Sequence, residues 1–179
     1  NITDENGKAV DGVTVTLLGR DGKTPITPNE NGTYTLGYGV YTYTLSKNGY
    51  VVTRGSFSLG SADAANVKDG VLTVKTAVLP KVGENAWDGK TKTEPKKDGN
   101  GVYLIGTAAE LAWFAATDGK SSAKLTADIE LAGYDWTPLK KFYGTFDGQG
   151  HVIRNLYINS TSNTPVSYTH LTLPTSDLV

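Results

Sequence analysis

Apolar and hydroxylated residues alternate with a period of two along the first part of the chain. The clearest runs are Val13–Leu17, Thr33–Leu36, Val40–Leu45 and Val71–Val74. This period, carried by β-branched and aromatic side chains, is typical of half-buried β-strands. Between the runs lie dipeptides whose glycine readily takes the positive φ of a tight turn, namely Asn6-Gly7, Asp11-Gly12, Asp21-Gly22, Asn31-Gly32, Asn48-Gly49 and Asp69-Gly70. Short strands at short spacing predict a small β-sandwich.

A helical pattern begins further along, where Thr107–Glu110 has the Thr-x-x-Glu form of a capping box. In that motif the threonine hydroxyl and the glutamate carboxylate satisfy unpaired N–H groups at the start of a helix. The spacing of one helix face, i, i+3 and i+4, follows in Leu111, Phe114 and Ala115. The sequence therefore predicts one amphipathic helix that begins at Ala108 and stops at Asp118-Gly119.

Composition divides the chain into four parts. Residues 1–80 form the predicted sandwich, and residues 81–101, rich in turn formers such as Pro95 and Gly99, are expected to be a linker and lead-in. The third part, 102–165, opens with the helix and continues with strand-rich sequence at Lys124–Leu131 and Phe142–Ile153. Residues 166–179 form a separate tail.

The overall composition narrows the function classes. The chain has 179 residues, a formal net charge of -1, no Cys and no Met. Lysines and acidic residues are interspersed, so charge does not favour nucleic acid or an anionic membrane as a partner. The absence of Cys excludes thiol chemistry and disulfides from this chain. Because the chain begins at Asn1 within a strand-and-turn pattern and contains no Met, we expect it to be a fragment at its front end.

The first part of the chain contains the phrases DENGKAVDGVTVTL, NGTYTLGYGVYTYTLSKNGYVV and GVLTVKTAVL. In these it resembles the transthyretin-like or carboxypeptidase-regulatory-like β-sandwiches of bacterial surface proteins. The resemblance implies a stalk or spacer module of about seven strands, with Tyr41 and Tyr43 on one sheet face. No catalytic residues come with that family.

Residues 86–159 contain the phrases AWDGKTKTEP, GVYLIGTAAELAWFAA, KLTADIELAGYDWTPL and FYGTFDGQGHVIRNLYI. They resemble the opening segment of right-handed parallel β-helix regions, of the GLUG-like or adhesin type, in secreted proteins of gut-type bacteria. The resemblance implies that GTFDGQGH begins the first coil, with glycines at its corners, and that the helix caps the core. The implied fold is mainly β: a small β-sandwich, then the start of a right-handed parallel β-helix with one capping α-helix, truncated after a coil or two.

The tail has a different origin in this interpretation. From Val166 the sequence reads VSYTHLTLPT, which resembles one reading frame of the transposon-adapter DNA used to prepare sequencing libraries. Residues 166–179 are therefore expected to be an adapter-derived artefact, as in a metagenomic fragment, and they are left out of functional argument.

Several polar residues are candidates for a catalytic or metal site. Asp128, Glu130, Asp135 and Asp147 supply carboxylates, which β-helix enzymes that cut polysaccharides use in clusters. Asp128 and Asp147 are instead expected to fix turns by accepting backbone N–H bonds. His151 has no second histidine before the tail with which to build a metal site or triad. The Asp4–Gly7 run is expected to be a plain turn in preference to a calcium loop.

Aromatic residues offer a binding hypothesis. Tyr134 and Trp136 lie in the polar segment AGYDWTP and are the candidate glycan contacts, because aromatic faces bind the C–H faces of pyranose rings. The competing interpretation places aromatic residues in the core, Trp113 of the predicted helix above all. We predict no catalytic residues, cofactor or metal in this fragment.

The resulting functional prediction is a non-catalytic part of a modular bacterial cell-surface or secreted protein that acts in adhesion or display. Its expected location is extracellular, at the cell surface or cell wall. Its expected partners are host or cell-wall glycans, surface proteins and further modules of the same chain. Two alternatives stay open: the N-terminal or accessory part of a β-helix polysaccharide lyase or glycoside hydrolase, and a weak carbohydrate-binding module.

Overall fold

The computed structural model of the chain describes residues 2–68, 71–72, 77–83, 85–117, 119–139 and 141–159. It divides the chain into two compact units, Asn1–Val82 and Gly83–Val179. Strands predominate in both units, and the described residues contain a single α-helix. The prediction of a mainly β chain with one α-helix is therefore confirmed. The predicted artefact tail, 166–179, lies outside the described residues.

The described residues of the first unit form eight short strands and one 3₁₀ helix, Ser61–Asn66. The strands are β1 Ile2–Thr3, β2 Thr14–Leu18, β3 Pro25–Ile26, β4 Gly39–Ser46, β5 Thr53–Leu59, β6 Val67–Lys68, β7 Val71–Leu72 and β8 Ala77–Val78. Four of them form an antiparallel sheet in the order β3-β2-β4-β5. The remaining strands make two pairs, parallel β1-β8 and antiparallel β6-β7.

One face of the four-stranded sheet carries the apolar side chains. Leu17, Tyr41 and Leu45 are buried there. Tyr41 stacks on Phe57 of the neighbouring strand with ring centroids 5.6 Å apart, and Tyr43 contacts the same ring at 6.5 Å. Both tyrosines therefore lie on one face, as the resemblance implied, because alternate residues of a strand point the same way.

The strand predictions hold in part. Three of the predicted runs overlap strands β2, β4 and β7, although residues 73 and 74 lie outside the described residues. The strand predicted at Thr33–Leu36 is wrong, because no strand forms there. Local side-chain bonds compete with sheet pairing at this point: the amide and hydroxyl of Thr33 both donate to Asn31 Oδ1, at 3.1 and 2.6 Å. Strand β5 was not predicted, and its interior Gly55 weakens the strand pattern.

The predicted turns are present. The glycines of the five described dipeptides, at positions 7, 12, 22, 32 and 49, all have φ between 65° and 80°, and Asp69-Gly70 lies outside the described residues. Asp4 illustrates how such a turn is fixed. Its Oδ1 accepts the amides of Asn6 at 3.0 Å and Lys8 at 2.9 Å, and its backbone C=O accepts the amide of Gly7. Asp4–Gly7 is therefore a turn whose acidic oxygens are held by backbone N–H groups.

Asp4 also joins the two ends of the first unit. Its side chain is almost completely buried, with 3 % exposure, and its Oδ2 lies 3.3 Å from Nζ of Lys81. The hydrogen bond from the Lys8 amide, reinforced by that of Asn6 and by Lys81, lowers the pKa of Asp4 below its ordinary value of 3.8. The buried carboxylate is thus stabilised in its charged form.

The second unit is built on shorter strands. They are β9 Lys96–Lys97, β10 Tyr103–Ile105, β11 Ala123–Leu125, β12 Ile129–Glu130, β13 Phe146–Asp147 and β14 Ile153–Arg154, with helix α1 at Ala108–Ala116. One sheet has the order β13-β11-β10-β9, in which β10, β11 and β13 are parallel and β9 is antiparallel. A second sheet is the parallel pair β12-β14.

Successive passes of the chain lie side by side in this unit. Ala123 pairs with Phe146, Ile129 with Ile153, and Asp135 with Tyr157, at separations of 23, 24 and 22 residues. The backbone amides at positions 123, 129, 131, 133 and 136 donate to carbonyls at 145, 152, 154, 155 and 157, at 2.8 to 3.1 Å. A parallel ladder therefore joins one pass to the next along most of its length.

Helix α1 begins and is capped as the sequence predicts. Thr107 is the N-cap, its Oγ1 accepts the Glu110 amide at 3.2 Å, and Glu110 Oε2 accepts the Thr107 amide at 3.0 Å. Leu111 and Phe114 are buried as expected, but Ala115 is only half-buried and Ala112 is buried in its place. The helix thus covers a core that includes Ile105, Leu125, Ile129 and Leu131.

Part of the expected linker and lead-in, 81–101, is packed structure. Trp87 is buried in the core of the second unit, and its amide donates to the carbonyl of Glu130 at 2.9 Å. Strand β9 pairs with β10, and Nζ of Lys97 lies 4.3 Å from the centre of the Tyr103 ring. The division between the units falls after Val82.

The capping box gives a test of the helix. Thr107→Ala removes the side-chain oxygen that accepts the Glu110 amide and should lower the unfolding free energy of the second unit by about 1 kcal/mol. All three tryptophans, at 87, 113 and 136, lie in this unit, so urea unfolding followed by tryptophan fluorescence reports on it. Thr107→Ser keeps the oxygen and should stay close to wild type. Equal losses in both variants would contradict the capping role.

Asp4 gives a test of pH dependence. Since its pKa is lowered in the folded chain, its contribution is fully present above about pH 4 and is lost as the pH falls through the folded value. Asp4→Asn should therefore destabilise the first unit at pH 6 but much less at about pH 2.5. Urea titrations followed at the methyl resonances of the buried Leu79 would measure this. A pH-independent difference between the two proteins would contradict the assignment.

Candidate functional site

Three aromatic rings gather on one side of the second unit. Trp87 is buried, and its ring lies edge-on to Trp136 at 5.3 Å and to Tyr134 at 6.4 Å between centroids. The indole N–H of Trp87 donates to the carbonyl of Thr91 at 2.9 Å. Edge-to-face contacts of this kind fix the relative orientation of aromatic rings. Trp87 therefore sets the positions of the two residues that were the candidate glycan contacts.

A tight turn follows Trp87 directly in the sequence. In Asp88-Gly89-Lys90-Thr91, Asp88 Oδ1 accepts the amides of Lys90 and Thr91 at 3.0 and 2.7 Å, and Oδ2 accepts the Thr91 hydroxyl at 2.6 Å. Partial burial acts to raise the pKa of Asp88, but these hydrogen bonds outweigh it and lower the pKa to about 2. Asp88 is therefore ionised at neutral pH and holds the turn closed.

The same four residues, Asp-Gly-Lys-Thr, occur at positions 21–24 and make the same turn there. Asp21 accepts the amides of Lys23 and Thr24 and the Thr24 hydroxyl, and hydrogen bonding from Thr24 lowers its pKa to about 2. The repeated tetrapeptide is a sequence signal that would have predicted an ordered turn within the expected linker, although the linker prediction did not use it.

Beside the rings is a groove of about 300 Å³. Trp87, Trp136 and the α1 alanines 112, 115 and 116 supply its apolar walls, and polar groups of Lys90, Lys92, Asp135 and Thr137 also line it. This volume is at the lower end of the range of about 300–1,000 Å³ for small-molecule sites. A lining that includes indole rings beside lysine and aspartate residues is of the kind that holds a polar ring by stacking and hydrogen bonds.

The two candidate glycan contacts have different surroundings. Trp136 is half-buried and lines the groove, whereas Tyr134 is half-buried and is not among the residues that line it. Tyr134 packs against the turn: a Cβ added to Gly89 would lie 2.5 Å from Tyr134 Cδ1. Burial, and then the nearby charge of Asp88, raises the pKa of Tyr134. Trp136 is thus the better placed of the two for contact with a ligand, and Tyr134 supports the turn.

Most of the acidic residues considered as catalytic candidates accept hydrogen bonds from other groups of the protein. Asp128 accepts the amide of Val152 at 3.1 Å and Arg154 Nη1 at 2.8 Å, and its Oδ1 lies 3.3 Å from His151 Nδ1. The hydrogen bond from Arg154, followed by that of Val152, lowers the pKa of Asp128. Asp128 accepts a backbone N–H, but that N–H belongs to the next pass, so the expectation that Asp128 fixes a local turn is wrong.

Glu130 and Asp147 are engaged in similar ways. Glu130 Oε1 accepts the Ala132 amide at 2.7 Å and the Asn155 side-chain amide at 2.9 Å. Asp147 Oδ1 accepts the Gln149 amide at 3.0 Å, which makes it the turn-fixing residue that the sequence predicts. Asp135, by contrast, lies at the groove. Within the described part of the chain, no cluster of three or more His, Asp or Glu side chains is arranged to hold a metal ion.

The first unit has a larger cavity that the sequence did not reveal. It has a volume of about 800 Å³ and lies over the apolar face of the four-stranded sheet, where Val15, Leu17, Tyr43, Phe57 and Leu59 line it. Val15 retains 37 % exposure although its side chain shares that face. Strand alternation identifies which residues share this face, but not how completely it is covered.

The chain was compared with protein-family models, curated proteins and solved structures. No family model, no curated protein and no solved structure matches the chain. No helix in the described ranges has both the length and the apolar character needed to cross a membrane.

Gly89 gives a test of the packing beneath the groove. It has φ of +81°, and a methyl group there would meet the Tyr134 ring. Gly89→Ala should therefore cost the second unit about 2 kcal/mol or more of unfolding free energy. Gly101→Ala is the matched control, because Gly101 also has a positive φ, +79°, and nothing lies within 4 Å of its added Cβ. Urea unfolding by tryptophan fluorescence measures both, and equal stabilities would contradict the packing described.

Proposed function

We propose that the chain is a non-catalytic part of a modular bacterial surface or secreted protein, with a role in adhesion or display. In this proposal the first unit is a spacer β-sandwich of the transthyretin-like or carboxypeptidase-regulatory-like kind. The second unit is the capped beginning of a right-handed parallel β-helix of the adhesin type. The expected site of action is the cell surface or cell wall.

The observation that carries the proposal is the regular spacing of parallel pairs in the second unit. Residues 123–135 pair with residues 146–157 at three places, and the separations stay within 22 to 24 residues. A nearly constant separation between parallel pairs is what a solenoid requires, because each coil repeats the path of the previous one. The resemblance of residues 86–159 to β-helix openings and this spacing both support a β-helix.

The helix supports the same interpretation. Core residues of a solenoid are covered along its length by neighbouring coils, but the first coil needs a separate cover. Helix α1 precedes the paired passes, and its Phe114 contacts Tyr103 at 5.8 Å and Phe146 at 6.2 Å. Antiparallel β9 pairs with β10, the strand that precedes the helix. These elements have the character of a cap on the first coil.

The engaged carboxylates favour a structural role for the described passes. Asp128 and Glu130 each accept bonds from the following pass, and Asp147 holds its own turn. Groups that serve as general acid or base need a reacting proton within hydrogen-bond reach, and these oxygens already hold protein donors. The enzyme alternative therefore places its catalytic groove on later coils.

The source locus tests the proposal. Long reads without adapter ligation, extended past both ends of the chain, should give an export signal upstream and further coils or wall-attachment modules downstream. A reading frame without an export signal would contradict surface display. A long series of coils with clustered acids, or with a Lys or Arg base, would favour the polysaccharide-cleaving alternative. An intact genomic VSYTHLTLPT segment would contradict the artefact interpretation of the tail.

A second candidate function is weak carbohydrate binding. The groove beside Trp136 favours it, because that groove combines an indole wall with Lys90, Lys92, Asp135 and Thr137. Trp87 holds the Trp136 ring in place, so little ordering is needed when a ligand binds. The expected ligand is a sugar ring at the end or edge of a host or cell-wall glycan, bound with millimolar to micromolar affinity.

Trp136→Ala tests this function. The variant should weaken binding of the best oligosaccharide from a glycan array by about tenfold, because it removes the stacking surface. NMR titration of labelled protein measures the affinity and shows whether the fold is retained. Tyr143→Ala is the control, since Tyr143 is 70 % exposed and does not line the groove. Unchanged affinity in Trp136→Ala would exclude the groove as the site.

A further inference from the structure

The first and last strands of the first unit are neighbours. β1 and β8 run parallel, with Ile2 opposite Ala77 and Thr3 opposite Val78. The ladder continues past the strands, where the amide of Leu79 donates to the carbonyl of Thr3 at 2.8 Å. Residues some 75 positions apart in sequence are therefore bonded side by side at the two ends of the unit.

The last segment of the unit is also held on its other side. The amide of Val51 donates to the carbonyl of Pro80 at 2.8 Å, and the amide of Val82 donates to the carbonyl of Gly49 at 3.0 Å. Tyr50 and Lys81 form an antiparallel bridge between these bonds. Residues 77–82 thus lie between the first strand and the segment that precedes β5.

Side chains reinforce this arrangement where β1 ends. The buried carboxylate of Asp4 lies 3.3 Å from Nζ of Lys81, and Glu5 Oε2 accepts the Lys81 amide at 3.0 Å. One residue of the last segment is therefore bonded to two consecutive residues of the first. Because Asp4 is itself fixed by the amides of Asn6 and Lys8, the pair joins two ordered segments.

The direction of the strands decides how the unit responds to tension. In parallel neighbours, the chain enters β1 at one end of the pair and leaves β8 at the opposite end. A pull on the two ends of the unit therefore acts along the strands, in shear, and loads the bonds between β1 and β8 together. Pulling both strands from the same end would instead open the bonds one after another.

We propose that the first unit is a force-bearing link, in which the β1–β8 pair and the Asp4–Lys81 ion pair form a shear clamp. Its function is to transmit tension along a surface protein without unfolding. This role rests on the proposed spacer function, since a module between an anchor and a bound partner is loaded through its two ends. The clamp itself is a property of the fold and can be measured independently of that role.

Single-molecule force spectroscopy on the full chain tests the clamp. The chain has no Cys, so an introduced cysteine is a unique attachment point. A tag at the N-terminus with Gly83→Cys loads the β1–β8 pair in shear; a Cβ at Gly83 meets nothing within 4 Å. Asn6→Cys with Gly83→Cys pulls the same two strands from one end. Both geometries load only the first unit.

The unfolding force in the shear geometry should exceed that in the second geometry by roughly a factor of two or more at the same pulling speed, because forced unfolding follows the unfolding rate. Asp4→Asn and Lys81→Gln should lower the shear force. Lys8→Gln changes a charge in the same turn without removing the Asp4–Lys81 pair and should leave it unchanged.

Equal forces in the two geometries would overturn the clamp, and so would equal shear forces in Lys81→Gln and Lys8→Gln. Asn6→Cys could itself weaken the turn, so its stability without force is measured by urea unfolding and used to correct the comparison. Neither result depends on where the protein is located. Loss of the spacer function, judged from the source locus, is therefore distinguished from loss of the clamp.

Discussion

The second unit depends on one pass of the chain pairing with the next. Its described strands are two or three residues long, which is too short for any of them to be stable as an isolated hairpin. Except for β9, which pairs with the nearby β10, each strand is bonded to a pass 20 to 24 residues away in sequence, and apolar side chains such as Ile129 and Leu131 are buried in a common core. Asp128 and Glu130 add side-chain bonds to the same neighbouring pass. The core that helix α1 covers is formed by these paired passes.

Where sequence reasoning succeeded, the structure is set by local chemistry. The capping box at Thr107 and Glu110 and the glycine turns involve residues within a few positions of one another, so propensity and spacing were enough to predict them. Where it failed, a local preference competed with a distant one. Asn31 binds the Thr33 amide and hydroxyl, which competes with sheet pairing of that run. Strand β5 forms by pairing with β4, and Gly55, which has no side chain, leaves room for the Tyr43 ring. Periodicity alone does not distinguish these cases.

The residues of the candidate site could be predicted from the sequence, but their spatial arrangement could not. Tyr134 and Trp136 could be selected because aromatic residues in a polar segment suggest surface contact. Their separate roles depend on Trp87, which is some fifty residues earlier and was assigned to a linker and lead-in. The same limit applies to Asp4 and Lys81: each is an ordinary polar residue in the sequence, and only the pairing of β1 with β8 brings them together. Long-range pairing is the information that a single sequence does not supply.

The central claim is that successive passes of the second unit pair in parallel at a separation of 22 to 24 residues. NMR on uniformly labelled protein tests it most directly, through NOEs and amide exchange in residues 129–136. The account predicts NOEs that join residues 129–131 to 152–154, and slow exchange at the amides of Ile129, Leu131 and Trp136, which donate to the following pass. Fast exchange at these three amides, with no NOEs between the two segments, would contradict the parallel pairing of the two passes.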